Sequence, residues 1–504
     1  MTKPGGMDIA AGGSGRGAAP LRCLAAALLS LTTLSCAPAS DPRGDGTGSP
    51  YLLMFVGDRD ERDSDFLLTI NVDPASAQRG EPVASVPIGR KASMPHHMDY
   101  ALPPPGEPLF VNAHHHEETL IVDTADPARP KITGRFATPA PFRFPHDYTR
   151  TPSGTRLVGF LRSDGPSPDP ADPDRPGGHG GIAEYSADGR LLRSVSAAAP
   201  GMTRPVRPYA FALLPDIDRF VVTSAPMMET SWADVIQIYR LSDFKQLHTI
   251  ALPPGRDAKG RVIPGSQAAG FGPRVLADGS VFLNSYGCAF YRLTDIASDR
   301  PALSVVHALE TRPVAEKGAI RGECGIPLVI GRYWLQPVGD AQAVVVLDIS
   351  NPAAPRAVQR LATPDDFSPH WLASDPASDR LILGAELGGE HGFYMLRFDA
   401  QRGRLRFDAD FQARRGTGWR SWLRPARPGY ISLERDRWPH GATGPAWGHA
   451  ALFLGTGPAK AGPVATSAVA TPGGARDDRA RLANPPLCGD EPKGQSATRL
   501  ASAR

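Results

Sequence analysis

Two stretches of the chain repeat one pattern. They are "TLIVDTADPARPKITGRFATPAPFRFPHDYTRTPSGTRLVGF" at residues 119–160 and "VVVLDISNPAAPRAVQRLATPDDFSPHWLASDPASDRLILGAE" at residues 344–386. Each reads strand, Asp-x-x-x-Pro turn, strand, Ala-Thr-Pro, Pro-His, strand, proline-containing turn, strand. Short apolar runs bounded by Asp, Pro and Gly are strand signals. Self-similarity on the scale of one supersecondary unit marks a repeat fold.

With "PHWLASDPASDRLILGA" as template, seven strand starts recur along the chain. His96 opens "HHMDYALPPPGEPLFVNA", His146 stands in "PHDYTRTPSGTRLVGF", and Tyr209 takes the same place in "PYAFALLPDIDRFVVTSA". Arg274 lies near that place in "GPRVLADGSVFLNS", and Cys324 lies near it in "CGIPLVIGRYWLQPV". The template supplies His370, and "GHAALFLG" supplies His449. Seven four-stranded units predict an all-β, seven-bladed β-propeller with each repeated strand innermost. The last start has no strands behind it, but "YLLMFVGD", "DFLLTINVD" and "PVASVPIG" precede the first. The closing blade therefore combines N-terminal outer strands with a C-terminal inner strand. The expected organisation is a signal peptide at 1–36, a linker at 37–50, the propeller at 51–457 and a disordered tail at 458–504.

Composition agrees with many short elements: Gly 53 and Pro 52 in 504 residues, with 41% hydrophobic content. A net charge of +3 from scattered Lys and Arg implies no nucleic-acid stripe. Arg16 and Arg22 ahead of "CLAAALLSLTTLSC" read as an export signal. Cys36 is a candidate lipidated residue, with ordinary cleavage after "APA" as the alternative, so the expected location is the periplasm or outer surface, with lipid anchoring open. Cys288 and Cys324 are the only cysteines in the expected folded body. They read as a structural pair or buried thiols rather than a nucleophile.

In a propeller, equivalent inner-strand positions form a ring around the central channel. His370, His449, His96 and His146 fall on blades six, seven, one and two, which are neighbours once the ring closes. Neutral imidazole ligates copper, zinc, iron and nickel, and converging imidazoles with an open side make a catalytic type of site. Strand alternation turns a direct neighbour to the opposite face, which leaves His97 as a second ligand or an outer-shell group. Secondary candidates are His115 in "HHHEE" at 114–118, His440 as a cap on the channel, Cys324, Tyr209 and Arg274. "GGHGG" at 177–181 lacks the Lys of a phosphate loop and reads as a hairpin tip.

The His-His pair, "FPHDY", "GGIAEYSADGRLLRS", "RPYAFALLPDIDRFVVTS", "SPHWLASDP" and "GPAWGHAALF" together resemble the selenium-binding protein family, which includes bacterial methanethiol oxidases. The resemblance implies a copper-dependent oxidase outside the cytoplasm that turns methanethiol, oxygen and water into formaldehyde, hydrogen sulfide and hydrogen peroxide. Other transition metals stay open. It implies His96, His97, His146, His370 and His449 as the metal ligands, and copper's affinity for sulfur favours a thiolate substrate. The animal-type cysteine cluster after the His pair is missing from "MDYALPPPGEPLFVNA", which argues against selenium binding. The rival readings are a non-catalytic exported scaffold and a four-histidine iron propeller of the carotenoid oxygenase kind. The latter needs glutamates beside its histidines, and sequence reading places none beside His146, His370 or His449. A lactonase would need clustered Asp, Glu and Asn at the inner-strand starts.

Overall fold

The computed structural model describes residues 48–171, 176–227, 229–311, 322–386, 392–411 and 427–455. The expected signal peptide, most of the linker and the tail lie outside the described residues. Among those described, the strands form seven antiparallel sheets. Each fourth strand is amphipathic; Lys131–Ala137 alternates between exposed and half-buried positions. The second and third strands are buried along nearly their whole length and mostly apolar, as in Leu109–Ala113 and Ala343–Asp348. A strand whose two faces both meet a neighbouring blade has no solvent side, so it keeps no alternation. Apolar clusters accordingly sit between blades, one joining Phe110 and Ile121 to Phe160 and Tyr185, another joining Leu335 and Val346 to Leu383 and Leu396.

The inner strands are Pro95–Met98, Phe142–Arg150, Pro208–Leu214, Arg274–Val275, Leu328–Ile330, Pro369–Ser374 and Ala446–Leu454, which define blades 1 to 7. Blade 7 closes as expected: Ala446–Leu454 pairs antiparallel with Tyr51–Asp58, followed outward by Phe66–Asn71 and Pro82–Pro87. Blades 2 and 6 each carry a fifth strand. In blade 2 it is Pro176–Gly178, so "GGHGG" belongs to paired strands rather than to a free hairpin tip, and His179 Nδ1 accepts from Val206 N at 3.1 Å.

Two devices recur between blades. Ten residues beyond His146 and His370 stand Arg156 and Arg380, both fully buried. Arg156 pairs with Asp99 at 3.1 Å and donates to Pro108 O of blade 1, while Arg380 pairs with Asp375 at 2.8 Å and reaches Ser49 O and Val72 O beside blade 7. The second device sits near the end of the second strand in blades 1, 3 and 4. Asn112 Oδ1 accepts from His96 N and His97 N, and its Nδ2 donates to Pro145 O of the next blade at 3.0 Å. Asn284 links Gly272 N to Cys324 O in the same manner, and Thr223 Oγ1 donates to Phe271 O at 2.7 Å. Blades 2 and 6 carry Gly159 and Gly384 there, where a Cβ would lie 2.9 Å from Pro208 O and 2.7 Å from His449 O. The next inner strand approaches too closely for any side chain.

Candidate metal centre

On five inner strands one extra residue is accommodated at the ring position. Four residues from Pro95 to Met98 face three from Ala113 to Val111, and the same one-residue slip occurs at Pro145–Tyr148, Pro208–Phe211, Pro369–Trp371 and Gly448–Ala451. These are β-bulges, which re-aim a side chain locally. They decide the position of His97. Alternation would turn it from the channel, but the bulge brings it inward, stacked on His96 with ring centroids 4.2 Å apart and planes at 17°.

His96, His97, His146, His370 and His449 are all buried. The His96 ring lies 4.1 Å from that of His449 and 5.0 Å from that of His146, His97 lies 4.2 Å from His146, and His370 lies 4.7 Å from His449. Candidate ligand atoms of His96, His97 and His449 fall within 4.8 Å of one another. Bonds of about 2.0–2.1 Å to one ion hold nitrogens no more than about 4.2 Å apart. The trio needs to draw in by about half an ångström, which small ring rotations supply.

Among the described residues, Nε2 of all five histidines is buried without a hydrogen-bond partner. Buried polar atoms are ordinarily paired, so five unpartnered Nε2 atoms in one cluster of rings, with ligand atoms of three residues within 4.8 Å of one another, fit a cation that takes imidazole. The opposite ring nitrogens are held where needed. His146 Nδ1 donates to Tyr209 O at 2.9 Å, and His370 Nδ1 meets the Glu386 carboxylate. Both contacts select the tautomer that leaves Nε2 as the free donor atom, the usual outer support of a metal-bound histidine. Burial, then the neighbouring imidazoles, drive His96 and His97 well below the ordinary histidine range. Burial pushes His449 down to about 3, with His370 adding to the effect. The imidazoles of His96, His97 and His449 are thus neutral near pH 7, the form that ligates.

The secondary candidates divide. Tyr209 is at the ring position of blade 3, its ring 4.0 Å from that of His146 and 4.2 Å from that of Phe271; burial raises its hydroxyl far above the ordinary tyrosine range. Arg274 lies two residues past its ring position, which Gly272 holds, as the shared Asn tether shows. Its guanidinium sits over the Tyr100 ring at 5.2 Å and donates to Pro273 O and Pro327 O. Cys324 is disulfide-bonded to Cys288, joining blades 4 and 5, and is therefore no ligand. His440 does not cap the channel: the turn bridged by Arg437 and Thr443 carries it over the outer strands of blade 7, where it bonds Ser85 Oγ at 2.6 Å and packs on Phe66. His115 is exposed, whereas His114 beside it is buried, with Nδ1 3.1 Å from Pro145 O and its ring 6.1 Å from His96.

Sequence reading missed His114 and Glu386, which occupy one structural place. Each stands two residues past the second-strand tether, at Asn112 and Gly384, and so shares its face. Glu386 corrects the expectation that no glutamate adjoins His370. Around the cluster, Trp371 stacks on Tyr100 at 5.3 Å and meets His97 edge-on at 5.4 Å, and Phe271 meets His370 edge-on at 5.7 Å.

No protein-family model matches the chain, and no curated protein does. Solved structures do share its fold. A hypothetical selenium-binding protein from Sulfolobus tokodaii superposes with a TM-score of 0.61 at 14% identity, over 82% of this chain and 96% of that one. The periplasmic gluconolactonase of Pseudomonas aeruginosa gives 0.49 at 16% identity, over 71% and 94%. The chain is thus an all-β, seven-bladed propeller whose likeness to the Sulfolobus tokodaii protein is one of fold, with a buried histidine cluster at its centre.

Proposed function

We propose that the chain is a copper-dependent oxidase of a small thiol such as methanethiol, with the metal held by His96, His97, His146, His370 and His449. The observation that carries this reading is the set of five buried Nε2 atoms without partners. Bound copper supplies one-electron redox chemistry and affinity for thiolate sulfur. The protein's part is to hold His96, His97, His146 and His449 neutral by burial, to fix His146 and His370 through Tyr209 O and Glu386, and to surround the site with Trp371, Phe271 and Tyr209 so that bulk water is kept out. Thiol and oxygen are the small-molecule partners. The export signal would put the enzyme in the periplasm or on the outer surface, with Cys36 as a candidate lipid attachment point and ordinary cleavage after "APA" as the alternative, and the Cys288–Cys324 disulfide suits such an oxidising compartment.

Glu386 against His370 favours a second reading, the same imidazoles holding iron. Metal analysis of protein purified without chelator separates the two. Copper should co-purify, and oxygen uptake with methanethiol should follow copper loading. A His146→Ala/His370→Ala double variant should lose both metal and uptake. Copper-loaded protein that takes up no oxygen with methanethiol rejects the oxidase. Protein that neither carries nor accepts metal is the non-catalytic scaffold.

A further inference from the structure

We propose that Tyr209 orients the molecule bound at this centre, its hydroxyl donating a hydrogen bond to the thiolate sulfur or other anionic atom on the open side of the imidazole cluster. This rests on the metal reading above and assigns a residue outside the ligand set.

The argument begins with the hydroxyl itself. Tyr209 is 1% exposed, and its oxygen has no hydrogen-bond partner. Other buried tyrosines in the chain are satisfied: Tyr148 bonds Thr119 at 2.7 Å, Tyr239 bonds Gln237 at 2.7 Å and Tyr291 donates to Pro253 O at 2.9 Å. Tyr185 shares the lack of a partner, but it lies on the third strand of blade 2, where its ring packs on Phe136. A hydroxyl taken out of water without a partner is costly, so one kept at the histidine cluster has a use there.

Its direction is fixed. The bulge at Pro208–Phe211 turns the side chain inward, its backbone carbonyl is held by His146 Nδ1, and its ring is packed between His146 and Phe271. Blade 3, which carries it, adjoins the His146 end of the imidazole arc, and Phe271 of blade 4 packs on its other side. The hydroxyl is thus a preorganised donor facing the side of the channel that the imidazole arc leaves open. Phe271, edge-on to His370, gives the same space an aromatic wall suited to a small alkyl sulfur group.

The test uses copper-loaded full-length protein and azide as the probe anion, followed by its charge-transfer absorption, with methanethiol KM as a second readout. Tyr209→Phe should retain wild-type copper content yet bind azide roughly tenfold or more weakly, the usual worth of a hydrogen bond to a charged acceptor, and its KM should rise with little change in kcat. Tyr185→Phe should change neither. Metal-free Tyr209→Phe should be at least as stable as wild type, since it loses an unpaired hydroxyl; a structural role would lower its Tm instead. Unchanged azide affinity in Tyr209→Phe overturns the assignment while leaving the metal centre intact. Wild-type protein that takes up no copper overturns the metal reading and the assignment with it.

Discussion

His97 and Gly325 show how single residues shape the centre. His97 enters the cluster because one extra residue on its strand cancels the alternation that would turn it away. Gly325 is needed because a Cβ there would run into the backbone O of His370 and lie 2.9 Å from its Nδ1, the nitrogen that meets Glu386. His114 carries a pH consequence. Burial pushes it down to about 4, with its bond to Pro145 O opposing the shift. The unfolded chain binds a proton at this residue below about pH 6.5 and the folded chain does so only below about 4, so folding becomes less favourable as pH falls through that window. Each such proton is worth about 1.4 kcal/mol per pH unit. His114→Gln, which keeps a donor for Pro145 O, should therefore flatten the fall in metal-free stability between about pH 6.5 and 4 by that slope, measured by urea denaturation at several pH values. Equal slopes in both proteins would show that His114 titrates normally. "HHHEE" was legible as a candidate, but which of three consecutive histidines turns inward depends on a single turn of 3-10 helix, His114–His116, after the strand.

At the scale of the element, the second strand matters as much as the first. Near its end stands a tethering Asn or Thr in blades 1, 3 and 4, and a Gly in blades 2 and 6, where the next inner strand runs against the backbone. Asn112→Ala leaves His96 N and His97 N without their acceptor and should cost about 1–3 kcal/mol of stability, read by urea denaturation, with copper affinity falling as well because the same amides set the bulge that carries both histidines. A variant with unaltered copper affinity would show that the bulge holds itself. The inner strands were legible as elements from the Pro-His recurrence. The exact ring position was not legible on blades 4 and 5, where Gly272 and Gly325 stand in place of a bulky residue and Arg274 and Cys324 are displaced along the chain.

For the whole molecule, closure joins the two halves of the centre. Ala446–Leu454 brings His449 to His96 and His370, and it seals the Tyr51–Asp58 edge. Removing residues 446–455 should open the ring, expose that apolar edge and abolish cooperative unfolding, checked by circular dichroism and size-exclusion chromatography. A soluble truncated monomer with a sharp transition would locate stability in individual blades. The amino-acid sequence by itself determined the blade count, the order of the inner strands and the contiguous arc of His370, His449, His96 and His146, because a repeat writes its period and its turn residues locally. The tertiary structure alone decided that His97 faces inward, that Glu386 supports His370, that His114 rather than His115 is buried, and that Cys324 is bonded and His440 lies outside. Each depends on a bulge, a turn or an approach between blades, and these are set by packing of segments far apart in the chain.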